Sequence, residues 1–202
     1  MLKRQIQSKL TVVEYLEGEK SAKIRHELID GELYAMSGAS ERHTLITGNI
    51  YAELRQQLRG NPCIPFIIDL KLRINDDFYY PDVMVCCDDS DREDPYYRRR
   101  PTLIVEVLSK TTQQYDRGHK ADIYRALPSL QTYILIEQDR VDVEVQCRSE
   151  GWISRHYYLG ENVPLTSLAL SIPVHEIYDR VESGEITEWL EKQVAEAVSL
   201  DP

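Results

Sequence analysis

The stretch Pro101–Tyr124, PTLIVEVLSKTTQQYDRGHKADIY, decides how the chain is read. Leu103-Ile104-Val105-Glu106-Val107-Leu108 is an apolar run of strand length with one carboxylate near its far end. Such a run fits a central strand buried on both faces, although periodicity alone also admits a helix. β-Branched Ile104, Val105 and Val107, with Pro101 ahead and polar Ser109–Gln114 behind, decide for a strand. Glu106 is then an anomaly, because burying an ionised carboxylate is costly unless a cation or hydrogen-bond donors meet it. Beyond it the spacing predicts a helix that brings Asp116, Lys120, Ile123, Tyr124 and Leu127 to one face. Lys120 therefore shares the apolar, sheet-facing stripe. A glutamate and a lysine, each standing where an apolar residue belongs, suggest one polar site inside the fold. A structural Glu–Lys ion pair would leave the same trace.

Composition bounds what that site can serve. A chain of 202 residues can fill one domain without staples. Its 42% apolar and 29% charged content are those of an ordinary globular protein. No apolar run approaches the ~20 residues that span a bilayer. The N-terminal MLKRQIQSKLTVVEYL has basic residues with no continuous apolar core behind them, so no signal peptide is expected. Cys63, Cys86, Cys87 and Cys147 lack CxxC spacing, and adjacent Cys86 and Cys87 point to opposite faces of a strand. The expectation is reduced thiols, with no disulfide framework, in a cytoplasmic protein without membrane association. The net charge of −10 is unusual for a nucleic-acid binder. Either nucleic acid is not the ligand, or divalent metal and local basic patches such as Arg98–Arg100 offset the repulsion.

Around the central stretch the chain alternates short strands and helices. Thr11 can cap a short helix over Val12–Glu17, and Asp30-Gly31 signals a hairpin between two strands within Arg25–Met36. Ser40 can cap a long helix to about Arg59, with His43, Ile46, Ile50, Leu54 and Leu58 on one stripe. Strands are expected at Cys63–Ile68, Lys71–Ile74, Asp82–Cys87, Thr132–Glu137, Val141–Cys147 and Trp152–Tyr158, with closing helices at Val174–Val181 and Glu185–Val198. Asp88–Arg100 is expected to be a charged, solvated loop. The pattern predicts one α/β (α+β) domain with a mixed central sheet flanked by helices, over residues 1–181. Residues 182–202 are expected to form a C-terminal helix or tail packed on it.

Asp82 leads one strand and Glu106 lies in the next, 24 positions on. Phosphodiester hydrolysis needs these residue types: hard carboxylate oxygens to hold a divalent cation, and a nearby lysine to orient water and offset charge on phosphate. The ordered segments His26–Glu32, His43, Pro81–Val83, Pro101–Ser109, Asp116–Tyr124 and Pro128–Tyr133 together resemble the Uma-type restriction-endonuclease family, within the PD-(D/E)XK nucleases, over roughly residues 10 to 180. The resemblance implies a restriction-endonuclease-like core, a metal-dependent DNA endonuclease, Mg2+ (or Mn2+), DNA as partner and a homodimer. It implies Asp82, Glu106 and the backbone carbonyl of Val107 as metal ligands. The lysine that normally stands two positions after the glutamate is replaced by Leu108, and Lys110 lies past the strand end. By the resemblance the role moves to Lys120, where periodicity already points. Glu32 and His43 are further candidates for the site. Bland readings remain beside these. Asp82 can be a turn carboxylate, Lys120 can pair with Asp116, Asp116 can serve the helix dipole, and Glu32 can be a solvated strand residue. The alternatives in function are a catalytically inactive nucleic-acid-binding or regulatory module of the same fold, and a hydrolase of small phosphoesters.

Overall fold

The computed structural model describes residues 9–199. The expectations for residues 1–8 and for the last three residues of the tail lie outside the described residues. Thr11 caps α1 (Val12–Ser21) through a capping box with Glu14, and the helix runs one turn past its expected end. β1 (His26–Ile29) and β2 (Glu32–Ala35) form the expected hairpin around Asp30 and Gly31, whose φ angles of 51° and 79° are those a tight two-residue turn demands. A Cβ at Gly31 would also stand 2.6 Å from Lys9 Cβ, so glycine is needed for space as well. Ser40 caps α2 (Glu41–Gln57).

There follow β3 (Ile64–Ile67), β4 (Lys71–Ile74), β5 (Asp77–Tyr79), β6 (Val83–Cys86), β7 (Tyr97–Arg98) and β8 (Leu103–Leu108). The expected single helix after β8 is in three parts: α3 (Gln113–Tyr115), a π-helical turn over Asp116–Lys120, and α4 (Ala121–Ala126). The chain ends with β9 (Thr132–Glu137), β10 (Val143–Cys147), β11 (Ser154–Tyr157), β12 (Asn162–Leu165), β13 (Leu170–Pro173), α5 (Val174–Ile177) and α6 (Gly184–Ser199).

The mixed central sheet is six-stranded, in the order β11-β10-β9-β8-β6-β3, with β8 and β9 parallel and the other neighbours antiparallel. Leu103, Val105 and Val107 face a core shared with α2 and α5. Ile104 and Leu108 face a second core shared with Tyr124 of α4 and Tyr79 of β5. Glu106 falls on this second face by the period of two. Each buried Leu, Ile or Val contributes ~1.5–3 kcal/mol by leaving water. The two cores together can therefore carry a costly polar group between them. A second sheet, β2-β1-β5-β4-β7, lies beside the first and joins it through the three residues Tyr80–Asp82 between β5 and β6.

Several expectations need correction. Cys63 and Cys87 form a disulfide. The pairing of Ile64 with Cys86 places them opposite each other one position further along, a cross-strand relation that sequence spacing does not reveal. Only Cys86 and Cys147 are free. The segment Asp88–Arg100 is not simply solvated. Buried Asp91 accepts backbone N–H bonds from Arg99 and Arg100, and Tyr97–Arg98 forms an edge strand. Its arginines are occupied by their own loop: Arg100 by Asp88 at 2.8 Å, Arg99 by Glu93 at 3.6 Å. β5, β12 and β13 were not foreseen, being short or interrupted by proline. Among the described residues no helix is long and apolar enough to cross a membrane.

Candidate active site

The site lies where the two sheets meet the π-helical turn. Glu106 on β8 is 3% exposed. Its Oε1 accepts from Lys120 Nζ at 3.2 Å and from the Tyr124 hydroxyl at 3.2 Å, and its Oε2 accepts from the Asp82 backbone N–H at 3.4 Å. Asp82 stands just before β6, where pairing with β8 ends. Its Oδ2 accepts from the Val107 N–H at 2.7 Å and lies 3.2 Å from His43 Nε2. Asp82, Glu106, Val107, Lys120 and His43 are thus brought together from two strands, the turn after β8, and the head of α2.

Lys120 is held by more than its i−4 neighbour. Its Nζ lies 3.1 Å from Glu27 Oε1, 3.2 Å from Glu106 Oε1 and 3.6 Å from Asp116 Oδ1. The contact with Asp116 exists, but it is buried and one of three, so it is not the exposed surface bridge of the bland reading. Both residues lie on the inward face of the π turn. It contains Gly118, which weakens a regular helix. Asp116 is pinned from behind, because its carbonyl accepts from the Tyr133 hydroxyl at 3.0 Å. Tyr124 packs edge-on between Tyr79 and Tyr133, with ring centroids 5.7 Å away on each side. This aromatic wall keeps water from the back of the glutamate.

Glu27 belongs to this cluster. It is buried on β1 and accepts from the Tyr80 backbone N–H at 3.2 Å as well as meeting Lys120. Glu32, the expected carboxylate of the same hairpin, is exposed on β2 with Tyr34 as its recorded partner at 3.3 Å. The hairpin register explains the difference. Glu32 pairs with Ile29 beside the turn, whereas Glu27 lies far enough back to reach Tyr80, 53 positions away. The only signal for it in the sequence was its place inside the His26–Glu32 segment.

Electrostatically the site has too much negative charge. Glu27, Asp82, Glu106 and Asp116 face one lysine and one imidazole. Burial, with further pushes from Asp116, Asp82 and Glu27, drives the Glu106 carboxyl well above its ordinary value despite the pull of Lys120. Burial likewise raises Asp116. Burial alone would discharge Lys120, but Glu106, Glu27 and Asp116 outweigh it and raise its pKa, so it is a firm ammonium. His43 is raised as well. Burial works against its charge, and the hydrogen bond and charge of Asp82 prevail, with help from Asp116 and the Val107 backbone.

A family model described as "Uma2: Putative restriction endonuclease" matches residues 12–175 of this chain. The chain belongs to the Uma2 family. It is 35% identical over 174 residues to an uncharacterized protein of Synechocystis sp., covering 84% of this chain and 92% of the relative. A second uncharacterized Synechocystis protein is 33% identical over 162 residues, with coverage of 77% and 91%. Among solved structures, a protein from Anabaena variabilis described as a putative nuclease belonging to DUF820 superposes with a TM-score of 0.68. At 18% identity, over 90% of this chain and 99% of that one, the likeness concerns the fold.

The donor set of this Uma2 protein suits a hard divalent cation. Asp82 and Glu106 offer carboxylate oxygens and Val107 a backbone carbonyl, and these would hold such an ion with water filling its remaining positions. Among the described residues no three His, Cys, Asp or Glu side chains already form a metal cage. The fit therefore rests on this oxygen chemistry and on the unbalanced negative charge, which a cation would relieve.

Proposed function

We propose that this Uma2 protein is a divalent-metal-dependent DNA endonuclease that hydrolyses phosphodiester bonds. The observation that carries the reading is the convergence of Asp82 and Glu106 with Lys120, which lies 3.2 Å from the Glu106 carboxylate. In this reading Asp82, Glu106 and the Val107 carbonyl hold Mg2+ (or Mn2+), which when bound polarises phosphate and lowers the pKa of water. Lys120 acts through its charge and its hydrogen bonds. It donates a hydrogen bond that orients the attacking water and offsets charge building on the phosphate. Glu27 and Asp116 keep its stem and charge in place. His43 holds Asp82 in orientation and offers a proton at the mouth of the site. Glu32 has no part in the proposal. With a net charge of −10, affinity for DNA should depend strongly on divalent cation. The expected homodimer is part of the same reading and is measured by light scattering in solution.

The test is nicking of supercoiled plasmid by purified protein with Mg2+ or Mn2+, beside Asp82→Ala and Lys120→Ala. Cleavage abolished by both variants and by chelator is the expected result. Cleavage that survives Lys120→Ala would give the lysine's role to Lys110 or to no lysine. DNA binding without any cleavage would put the inactive binding module ahead.

A further inference from the structure

The same face of the central sheet carries a second polar region that the metal site does not use. On β10, Val143, Val145 and Cys147 join the apolar core, while Glu144 and Gln146 occupy the other face and Asp142 precedes them. All three polar residues are at most 6% exposed. Apolar side chains would bury there at far lower cost, so the network needs a reason. It is carefully partnered. Glu144 accepts from Ser154 Oγ at 2.5 Å, from Gln146 Nε2 at 2.7 Å and from Arg117. Arg117 also donates to Glu137 at 2.9 Å. His156 Nδ1 lies 2.7 Å from Asp142 Oδ1, and Arg140 donates to the other oxygen at 3.1 Å. Gln146 Oε1 is buried with no hydrogen-bond partner.

Over this network lies an open cleft of 580 Å³, within the ~300–1,000 Å³ of small-molecule sites. Its walls include Lys110, Arg117, Glu137, Arg140, Glu144 and His156. It begins where the metal site ends. Lys110 follows Val107 by three residues and Arg117 adjoins Asp116. Asp139, on the rim, lies 3.9 Å from Lys110 and 3.8 Å from Arg42, the neighbour of His43.

We propose that this cleft binds one nucleotide unit of the substrate strand, its base among Arg117, Glu144 and His156 and its phosphate at the rim on Lys110. That the ligand is part of a strand rests on the nuclease reading; that it is a nucleotide rests on the cleft. The lining balances cations with carboxylates, and both arginines are already engaged. A bare phosphate would meet Glu137 and Glu144 and have to break those pairs. A base edge presents donors and acceptors together and is matched by fixed groups of both kinds. The flat guanidinium groups and the imidazole supply stacking faces. Lys110, 82% exposed on its side chain and held loosely by Asp139 at 3.9 Å, is the rim cation most readily turned to a phosphate.

The test is calorimetric titration with the four deoxynucleoside 5′-monophosphates in chelator, so that catalysis plays no part. We expect at least one to bind. Binding should weaken at least tenfold in His156→Asn and in Glu144→Gln while circular dichroism is unchanged, and should persist in Asp82→Ala. His156 is partly exposed, which keeps the test valid even if Glu144→Gln folds poorly. No binding at millimolar nucleotide would overturn the inference, and so would equal binding of 2-deoxyribose 5-phosphate. Nucleotide binding in a protein that never nicks plasmid would sink the nuclease reading and leave the cleft standing as a nucleotide site.

Discussion

Two glutamates on one face of one sheet, Glu106 and Glu144, are almost equally buried at 3% and 5% exposure, yet their protonation is driven in opposite directions. Burial would raise both. Around Glu106 three other carboxylates add to it, one lysine opposes them, and the pKa rises. Around Glu144 the donors Ser154, Gln146 and Arg117 outweigh burial, and the pKa falls. Depth and company act together: Glu106 lies deeper in the fold and among like charges, whereas both oxygens of Glu144 meet donors. Glu106 sits in a place that lacks positive charge, and Glu144 in a place already balanced.

The sharpest break in the comparison is chemical. Glu106→Gln should lower plasmid nicking by ~10³-fold or more, the scale on which loss of a charge-stabilising group acts. Glu144→Gln should lower it far less. A nicking assay in Mg2+ that found equal losses would show that the two glutamates serve one site. Next in size is stability. Lys120→Met removes the ammonium that three buried carboxylates share, and should cost about 3–5 kcal/mol in urea unfolding of the metal-free protein.

The pH dependence separates the pair with opposite signs. Glu106 and Asp116 have raised folded values, so their contribution is fully present below the unfolded values of 4.5 and 3.8. It is lost as pH rises through the folded ones. Glu144 has a lowered folded value, so its contribution is present above 4.5 and lost as pH falls through the folded one. Melting curves across pH should therefore flatten their falling limb in Glu106→Gln, with the Asp116 share remaining, and soften their acid limb in Glu144→Gln. Added Mg2+ should restore stability on the falling limb in wild type. The smallest effect sharpens the contrast as a control. Ser40→Ala removes the cap of α2 and should cost about 1 kcal/mol without changing either limb.

Much of this was legible in the chain because it depends on local period. The run Leu103–Leu108 declared a strand, its alternation fixed the face of Glu106, and the spacing of Lys120 with Tyr124 placed both inward. Asp30-Gly31 and Ser40 marked their turn and cap by residue chemistry. What escaped depends on register between distant segments. Glu27 is recruited by a backbone N–H 53 positions away, and Cys63 meets Cys87 only once β3 lies against β6. Glu32 shares a face of the hairpin with Glu27, but it stands beside the turn on the edge strand and stays exposed. The wide turn at Asp116–Lys120 was hidden because residues four apart share a face in a regular helix too.

The link Tyr80–Asp82 has a mechanical consequence. Its first residue grips Glu27 of one sheet and its last residue grips Val107 of the other. Three residues thus act as a short lever across the seam. A small rotation of one sheet against the other changes the spacing of the carboxylates at once, so the site is a gauge of the angle between the sheets. Whatever settles between those oxygens also braces the seam.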